Sequence, residues 1–349
     1  MSEWRGNNFA LIRVLASAQV AVTHAIYWFG LEQPLSPLRR LLYVFPGVPV
    51  FFFISGLLVT RSFLSTSPAE YVRNRSLRIF PALWVCLVLM LLPIFFNAGC
   101  STPSTSGQWL AWWFAQLSFG QMWTPEFLRG CWQYSFNGGR WTVAVELEFY
   151  ALLPLLLMLA GKSARRATAV LVTLAVASLL AQAWLISQSS PLMGILHTTV
   201  VPYLWIFALG MLAQRHFERI TPWFAGKLAW WIAGFACVTW LARESGWRTG
   251  GSDINPLSML ALCALVMSTA LSARGLADRM LRGHDLTYGL YLLHPLVFLL
   301  MTTAGLGSGI ANAALALTLS AGAAALSWLF VERPFLKRKH LSAQPEVAP

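Results

Sequence analysis

Arg13 and His24 share one apolar stretch that runs from Phe9 to Phe29. An ionisable side chain in such a stretch is costly and needs a reason. Eleven residues separate the two, close to three helical turns, so a helix places them on one face about 16 Å apart along its axis. Two plainer alternatives stand beside a chemical role: a helix–helix hydrogen bond for His24, and an Arg13 head that snorkels to the membrane interface. Glu146 and Glu148 open another apolar stretch, in Gly138-Gly139-Arg140-Trp141-Thr142-Val143-Ala144-Val145-Glu146-Leu147-Glu148-Phe149-Tyr150. Glu146 and Tyr150, four apart, share a helical face, whereas Glu148 points elsewhere, as a headgroup contact would. A buried carboxylate without a partner protonates, so Glu146 is expected to have a cationic or hydrogen-bonding neighbour. In Tyr71-Val72-Arg73-Asn74-Arg75-Ser76-Leu77-Arg78-Ile79-Phe80-Pro81, Arg75 and Arg78 are neighbours on a helical turn. Their guanidinium forks suit phosphate oxygens, and the plainer alternative is the ordinary basic signal of a cytoplasmic segment.

The elements that must position these residues follow from composition. The chain has 349 residues, 57% of them hydrophobic and 11% charged. Apolar runs recur from Phe9 to Phe330, which makes the bilayer the expected solvent and the fold all-α and polytopic. Ten spans are expected, over 9–29, 43–61, 81–96, 142–160, 168–187, 197–213, 228–242, 256–273, 286–304 and 309–331. With the N-terminus inside, 18 of the 25 Lys and Arg residues fall on inner segments and six on outer ones, which places both termini in the cytoplasm. On that orientation Arg13 lies near the cytoplasmic surface and His24 in the outer half. Glu146 lies near the outer side, at a depth compatible with His24.

The net charge of +12 reads as basic loops facing lipid headgroups, and nucleic acid is not an expected partner. Met1 to Asn8 does not read as a cleavable signal, because Tyr27, Trp28 and Phe29 close the first span where a small-residue cleavage site would stand. One transmembrane domain over 1–340 is expected, with a short disordered tail at 341–349. The longest connection, Asn97 to Arg140, is expected outside as a cover over the outer mouth of a cavity, and Cys100 and Cys131 within it are candidates for a disulfide. Cys86, Cys237 and Cys263 read as packing residues, and no metal-ligand spacing is visible.

Taken in order, these residues resemble the acyltransferase-3 family of membrane O-acyltransferases, which includes O-antigen and Nod-factor acetylases. Arg13 and His24 match its basic-residue, ten-spacer, histidine pattern, and Phe52-Phe53-Ile54-Ser55-Gly56-Leu57 its second-helix signature. Arg75-Ser76-Leu77-Arg78-Ile79-Phe80-Pro81 matches its Arg-x-x-Arg motif, and Trp141-Thr142-Val143-Ala144-Val145-Glu146 with Phe149-Tyr150 its Trp-Ser/Thr-x-x-x-Glu-x-x-Phe-Tyr signature. Leu286-Thr287-Tyr288-Gly289-Leu290-Tyr291-Leu292-Leu293-His294-Pro295 and Val331-Glu332-Arg333-Pro334-Phe335 match its last two helices. Some members carry an extra C-terminal esterase-like domain that these residues do not match, which leaves room for a partner in the final transfer.

The resemblance implies an enzyme of the cell inner (plasma) membrane that takes an acyl group, acetyl, from acetyl-CoA to a hydroxyl of a cell-envelope carbohydrate such as O-antigen or exopolysaccharide. Arg75 and Arg78 would hold the donor's phosphates. His24 would act as general base or carry the acyl group, and Arg13 would belong to the same catalytic set. Glu146 would orient His24 or bind the acceptor, while Trp141, Tyr150 and the outer-loop tryptophans would meet sugar rings. His294 and Glu332 are read as packing. The expected partners are acyl-CoA, a carbohydrate or glycolipid acceptor, membrane lipid and a second copy of the chain, with no metal. The rival class is a transporter or flippase of a glycolipid or small metabolite, which leaves the Arg75/Arg78 pair unexplained.

Overall fold

The computed structural model describes Trp4 and residues 6–96, 105–118, 120–121, 123–128 and 139–338. Cys100 and Cys131, the candidates for a disulfide, lie outside the described residues, as does the 341–349 tail. Among the described residues the secondary structure is helical, with no strand. The helices that matter most for the candidate residues are α1 (Phe9–Trp28), α2 (Gly47–Leu64), α3 (Pro68–Leu89), α4 (Trp141–Ala160), α5 (Thr287–Thr303) and α6 (Ile310–Ser327).

Among the described residues six helical segments are long and apolar enough to cross a membrane, and a seventh counts if Phe217–Phe224 and Leu228–Glu244, bent by 88°, form one span. Pro256–Leu271 and Thr287–Thr303 are shorter apolar helices. Large apolar side chains such as Leu180 of Ala164–Ile186, Trp230 of Leu228–Glu244 and Phe330 of Trp328–Glu332 are exposed, as lipid contact requires. The third expected span starts well before its expected edge at position 81. Pro68 stands in the first turn, where its missing N–H removes no helical bond, and Ser67 caps that turn. Ser67 accepts from the Glu70 N–H, and Glu70 reaches back to the Ser67 N–H at 2.9 Å, a capping box. Arg75 and Arg78 therefore sit inside α3 rather than ahead of it.

The chain resolves into two compact units, each assembled from three stretches. The first comprises Met1–Thr23, Pro34–Arg61 and Val145–Asp285. At its centre Phe207 stacks on Phe149 and Phe52, with ring centroids 4.1 and 4.8 Å apart. Two glycines let α2 meet the helix Leu204–Arg215 backbone to backbone. A Cβ on Gly56 would stand 2.2 Å from the Phe207 carbonyl oxygen, and one on Gly210 2.2 Å from that of Phe53.

The second unit comprises His24–Gln33, Ser62–Ala144 and Leu286–Pro349. Here α5 packs against α6 and against α3. Polar ties fix the second contact: the Tyr288 hydroxyl donates to the Ile79 carbonyl at 3.1 Å, and Cys86 Sγ to that of Leu292 at 3.5 Å. Phe29 and Phe298 meet edge to face at 5.4 Å.

Candidate functional site

In the second unit the His24 ring meets another imidazole. His24 Nδ1 lies 2.8 Å from His294 Nε2, within hydrogen-bond distance. His294 is fully buried on α5. Pro295 follows it and supplies no N–H to the Tyr291 carbonyl four residues earlier. The His294 ring turns back onto this stretch of backbone, with Nδ1 2.9 Å from the Leu290 carbonyl oxygen. The ring edge of Phe298 lies against it at 5.5 Å between centroids.

One turn away on α5, the Tyr291 hydroxyl donates to the Gly139 carbonyl at 2.8 Å. Thr142 Oγ1 also donates to the Gly139 carbonyl, at 3.4 Å, and the Thr142 and Tyr291 hydroxyls are in hydrogen-bond contact with each other. The clamp holds the start of α4 against the imidazole. A Cβ on Gly139 would lie 3.8 Å from His24 Cε1 and 3.5 Å from Pro295. Trp141, half-buried, is the first residue of α4. Arg140, just before it, is buried, and burial pushes its guanidinium down to about 10, still cationic at neutral pH.

The same unit holds the two arginines of α3. Arg78 Nη1 is 3.7 Å from the Glu332 carboxylate, with side chains 12% and 2% exposed. Glu332 ends a π-helical turn, Trp328–Glu332, that continues α6. A π turn rotates the side chains beyond it relative to α-helical register, and such turns often accompany functional residues. Ser327 donates to Glu332 at 3.1 Å from the far side of that turn. Arg75 Nη2 is 3.5 Å from Ser62 Oγ, a long contact.

In the first unit Glu146 has the hydrogen-bonding neighbours that a partly buried carboxylate needs. Ser55 of α2 donates to its Oε1 at 2.5 Å, and the Tyr150 hydroxyl donates to the same oxygen. Glu148 accepts from the backbone N–H of Val200 at 2.7 Å, so it anchors a loop instead of pointing at a headgroup. Arg13 on α1 is 3.7 Å from the Asp285 carboxylate, both side chains about a quarter exposed.

Of the sequence-derived candidates, Glu146 and Tyr150 meet directly. The others meet residues that spacing did not single out: His24 meets His294, Arg78 meets Glu332, Arg13 meets Asp285 and Glu146 also meets Ser55. His294 and Glu332, read as packing residues, each meet a candidate side chain.

The profile described as "Acyltransferase domain", that of the acyltransferase-3 family, matches residues 7–332. The chain belongs to the acyltransferase-3 family. This membrane acyltransferase is also 33% identical to "Nodulation protein 10" of Rhizobium leguminosarum bv. viciae over 357 aligned residues, covering 95% of the chain and 93% of that protein. No solved structure matches it. The matched span takes in every candidate residue named above, from Arg13 to Glu332.

Proposed function

We propose that the protein transfers an acetyl group from acetyl-CoA to a hydroxyl of a cell-envelope carbohydrate at the inner membrane, with His24 at the reacting atoms. The observation that carries this reading is the hydrogen-bonded His24–His294 pair in an apolar helical protein of an acyltransferase family. A packing role alone needs no titratable ring in the first helix bonded to a second one.

In the reading's simplest form, His24 takes the proton as the acceptor O–H bond breaks. The acceptor oxygen bonds the acetyl carbonyl carbon, the carbon–sulfur bond breaks, and the departing thiolate receives the proton from His24. In the covalent form, His24 takes the acetyl group itself and passes it to the hydroxyl in a second step. Arg75 and Arg78 supply adjacent guanidinium forks for the donor's phosphates. Glu146, held by Ser55 and Tyr150, is a hydrogen-bond acceptor suited to sugar hydroxyls, and Trp141 and Tyr150 are the aromatic residues assigned to the acceptor. Both termini are cytoplasmic in this reading.

Two measurements test it. Mass spectrometry of envelope glycans from cells with and without the intact gene should show an acetyl group lost with the protein. Purified protein in lipid should move labelled acetyl from acetyl-CoA to that glycan. Unchanged glycans, together with substrate flux across vesicles and no transfer, would favour a transporter or flippase instead.

A further inference from the structure

We propose that His294 is a positioning residue that locks His24 in the tautomer with its proton on Nδ1, so that Nε2 is the nitrogen that reacts. The proposal rests on the reading of His24 given above and adds which of its two nitrogens acts and what selects it.

The assignment follows from donors and acceptors alone. The Leu290 carbonyl can only accept, so the His294 Nδ1 beside it carries a proton. In the neutral ring, His294 Nε2 is then a bare lone pair. That lone pair lies 2.8 Å from His24 Nδ1. Two bare nitrogens cannot share a hydrogen bond, so His24 Nδ1 is the donor. A neutral His24 with its proton on Nδ1 has Nε2 bare, and among the described residues nothing is hydrogen-bonded to it.

The relay is held in place from several sides. His294 has no exposed surface, and its neighbours Phe298 and Tyr291 lie edge to face at 5.5 and 6.1 Å between centroids, so the ring has little room to turn over. The Tyr291 hydroxyl holds Gly139 by its carbonyl, which keeps that backbone beside His24 Cε1. The same arrangement answers the charge that appears during reaction. When Nε2 gains a proton or an acetyl group, the ring becomes cationic, and its Nδ1–H···Nε2 bond to His294 becomes charge-assisted and stronger. The contact thus favours the reacting state over the resting state, which is how a contact accelerates a reaction.

The test uses the full chain in lipid nanodiscs, labelled with nitrogen-15 at histidine, as wild type and as His294→Leu, His294→Gln and His24→Gln variants. The wild-type spectrum should show a His24 ring with a protonated Nδ1 and an unprotonated Nε2, assigned by its loss in His24→Gln. His294→Leu should shift that ring toward the Nε2–H tautomer and lower kcat about ten- to a hundredfold, with KM for acetyl-CoA nearly unchanged. His294→Gln keeps an oxygen able to accept from Nδ1 and should recover most of the rate, which a merely space-filling role would not give. A wild-type His24 with its proton on Nε2 would overturn the proposal, even if the leucine variant fails to fold. So would a leucine variant with wild-type kcat. The two possible failures are distinguishable: an Nε2–H spectrum overturns this assignment, whereas full transfer by His24→Gln overturns the reading beneath it and the role given to the lone pair.

Discussion

Replacing Gly56 by alanine should damage both stability and transfer, through a helix crossing rather than through any lost contact with substrate. The added Cβ would stand 2.2 Å from the Phe207 carbonyl oxygen and 2.9 Å from its carbonyl carbon, whereas ordinary contact begins near 3.4 Å. Both obstructing atoms are backbone, so no side chain can rotate away, and α2 must move by about 1 Å from Leu204–Arg215. Overpacking of this kind costs about 1–3 kcal/mol. The displaced helix also carries Ser55, whose hydroxyl lies 2.5 Å from Glu146 Oε1. A shift of about 1 Å takes that bond out of range, and misplacement of that size can cost about a hundredfold in rate. The assay is the folded fraction after heating in detergent, by size-exclusion chromatography, beside the transfer rate at matched protein level. Gly210→Ala, at the same crossing, should behave alike. The double variant should lose less stability than the sum of the single losses, because the helices part only once. A Gly56→Ala protein as heat-stable and as active as wild type would refute the reasoning.

Glu332→Gln keeps the shape of the side chain but removes the countercharge that Arg78 faces at 3.7 Å, and should destabilise the protein by about 3–5 kcal/mol. Adding Arg78→Met should restore much of that loss in the same heating assay; if it restores none, the ion pair is not the cause. Arg75→Ala should weaken acetyl-CoA binding about ten- to a hundredfold by calorimetry, with Arg75→Lys recovering only part, and normal binding would reduce the pair to a topology signal. Single cysteines in the 161–167 loop should resist impermeant thiol reagents on intact cells, while cysteines in the 97–140 loop should react; the opposite pattern would invert the orientation.

The helical class was legible because apolar runs are a coarse signal that local sequence carries well; of the ten spans expected, the described residues show six helical segments long and apolar enough to cross a membrane, or seven with the bent pair. The start of α3 was misplaced at 81 because the rise in hydropathy was followed there, whereas Ser67-Pro68-Ala69-Glu70 holds a capping signature with proline in the first turn. Glu146 and Tyr150 were paired correctly because four residues of helix bring them together. The remaining partners are set by tertiary packing. His294 stands 270 residues from His24, Ser55 stands 91 residues from Glu146, and no period links them. The partnership of Glu332 with Arg78 depends in addition on a π turn, a register change that no hydrophobic pattern announces. Gly56 was visible as part of a family signature, but its reason, a carbonyl oxygen of another helix in the space a methyl would fill, exists only in the fold.

The central claim is that His24 does the chemistry, and the most direct measurement is acetyl transfer by the His24→Gln variant. Glutamine retains comparable size and hydrogen-bonding capacity but cannot shuttle a proton or carry the acetyl group as an imidazole does. With wild-type and variant proteins at matched levels in membranes, labelled acetyl-CoA supplied and glycan-bound label counted, the variant should insert, remain folded and transfer at a rate reduced about a hundred- to ten-thousandfold. Transfer near the wild-type rate would contradict the account and leave His24 a structural hydrogen-bonding partner of His294.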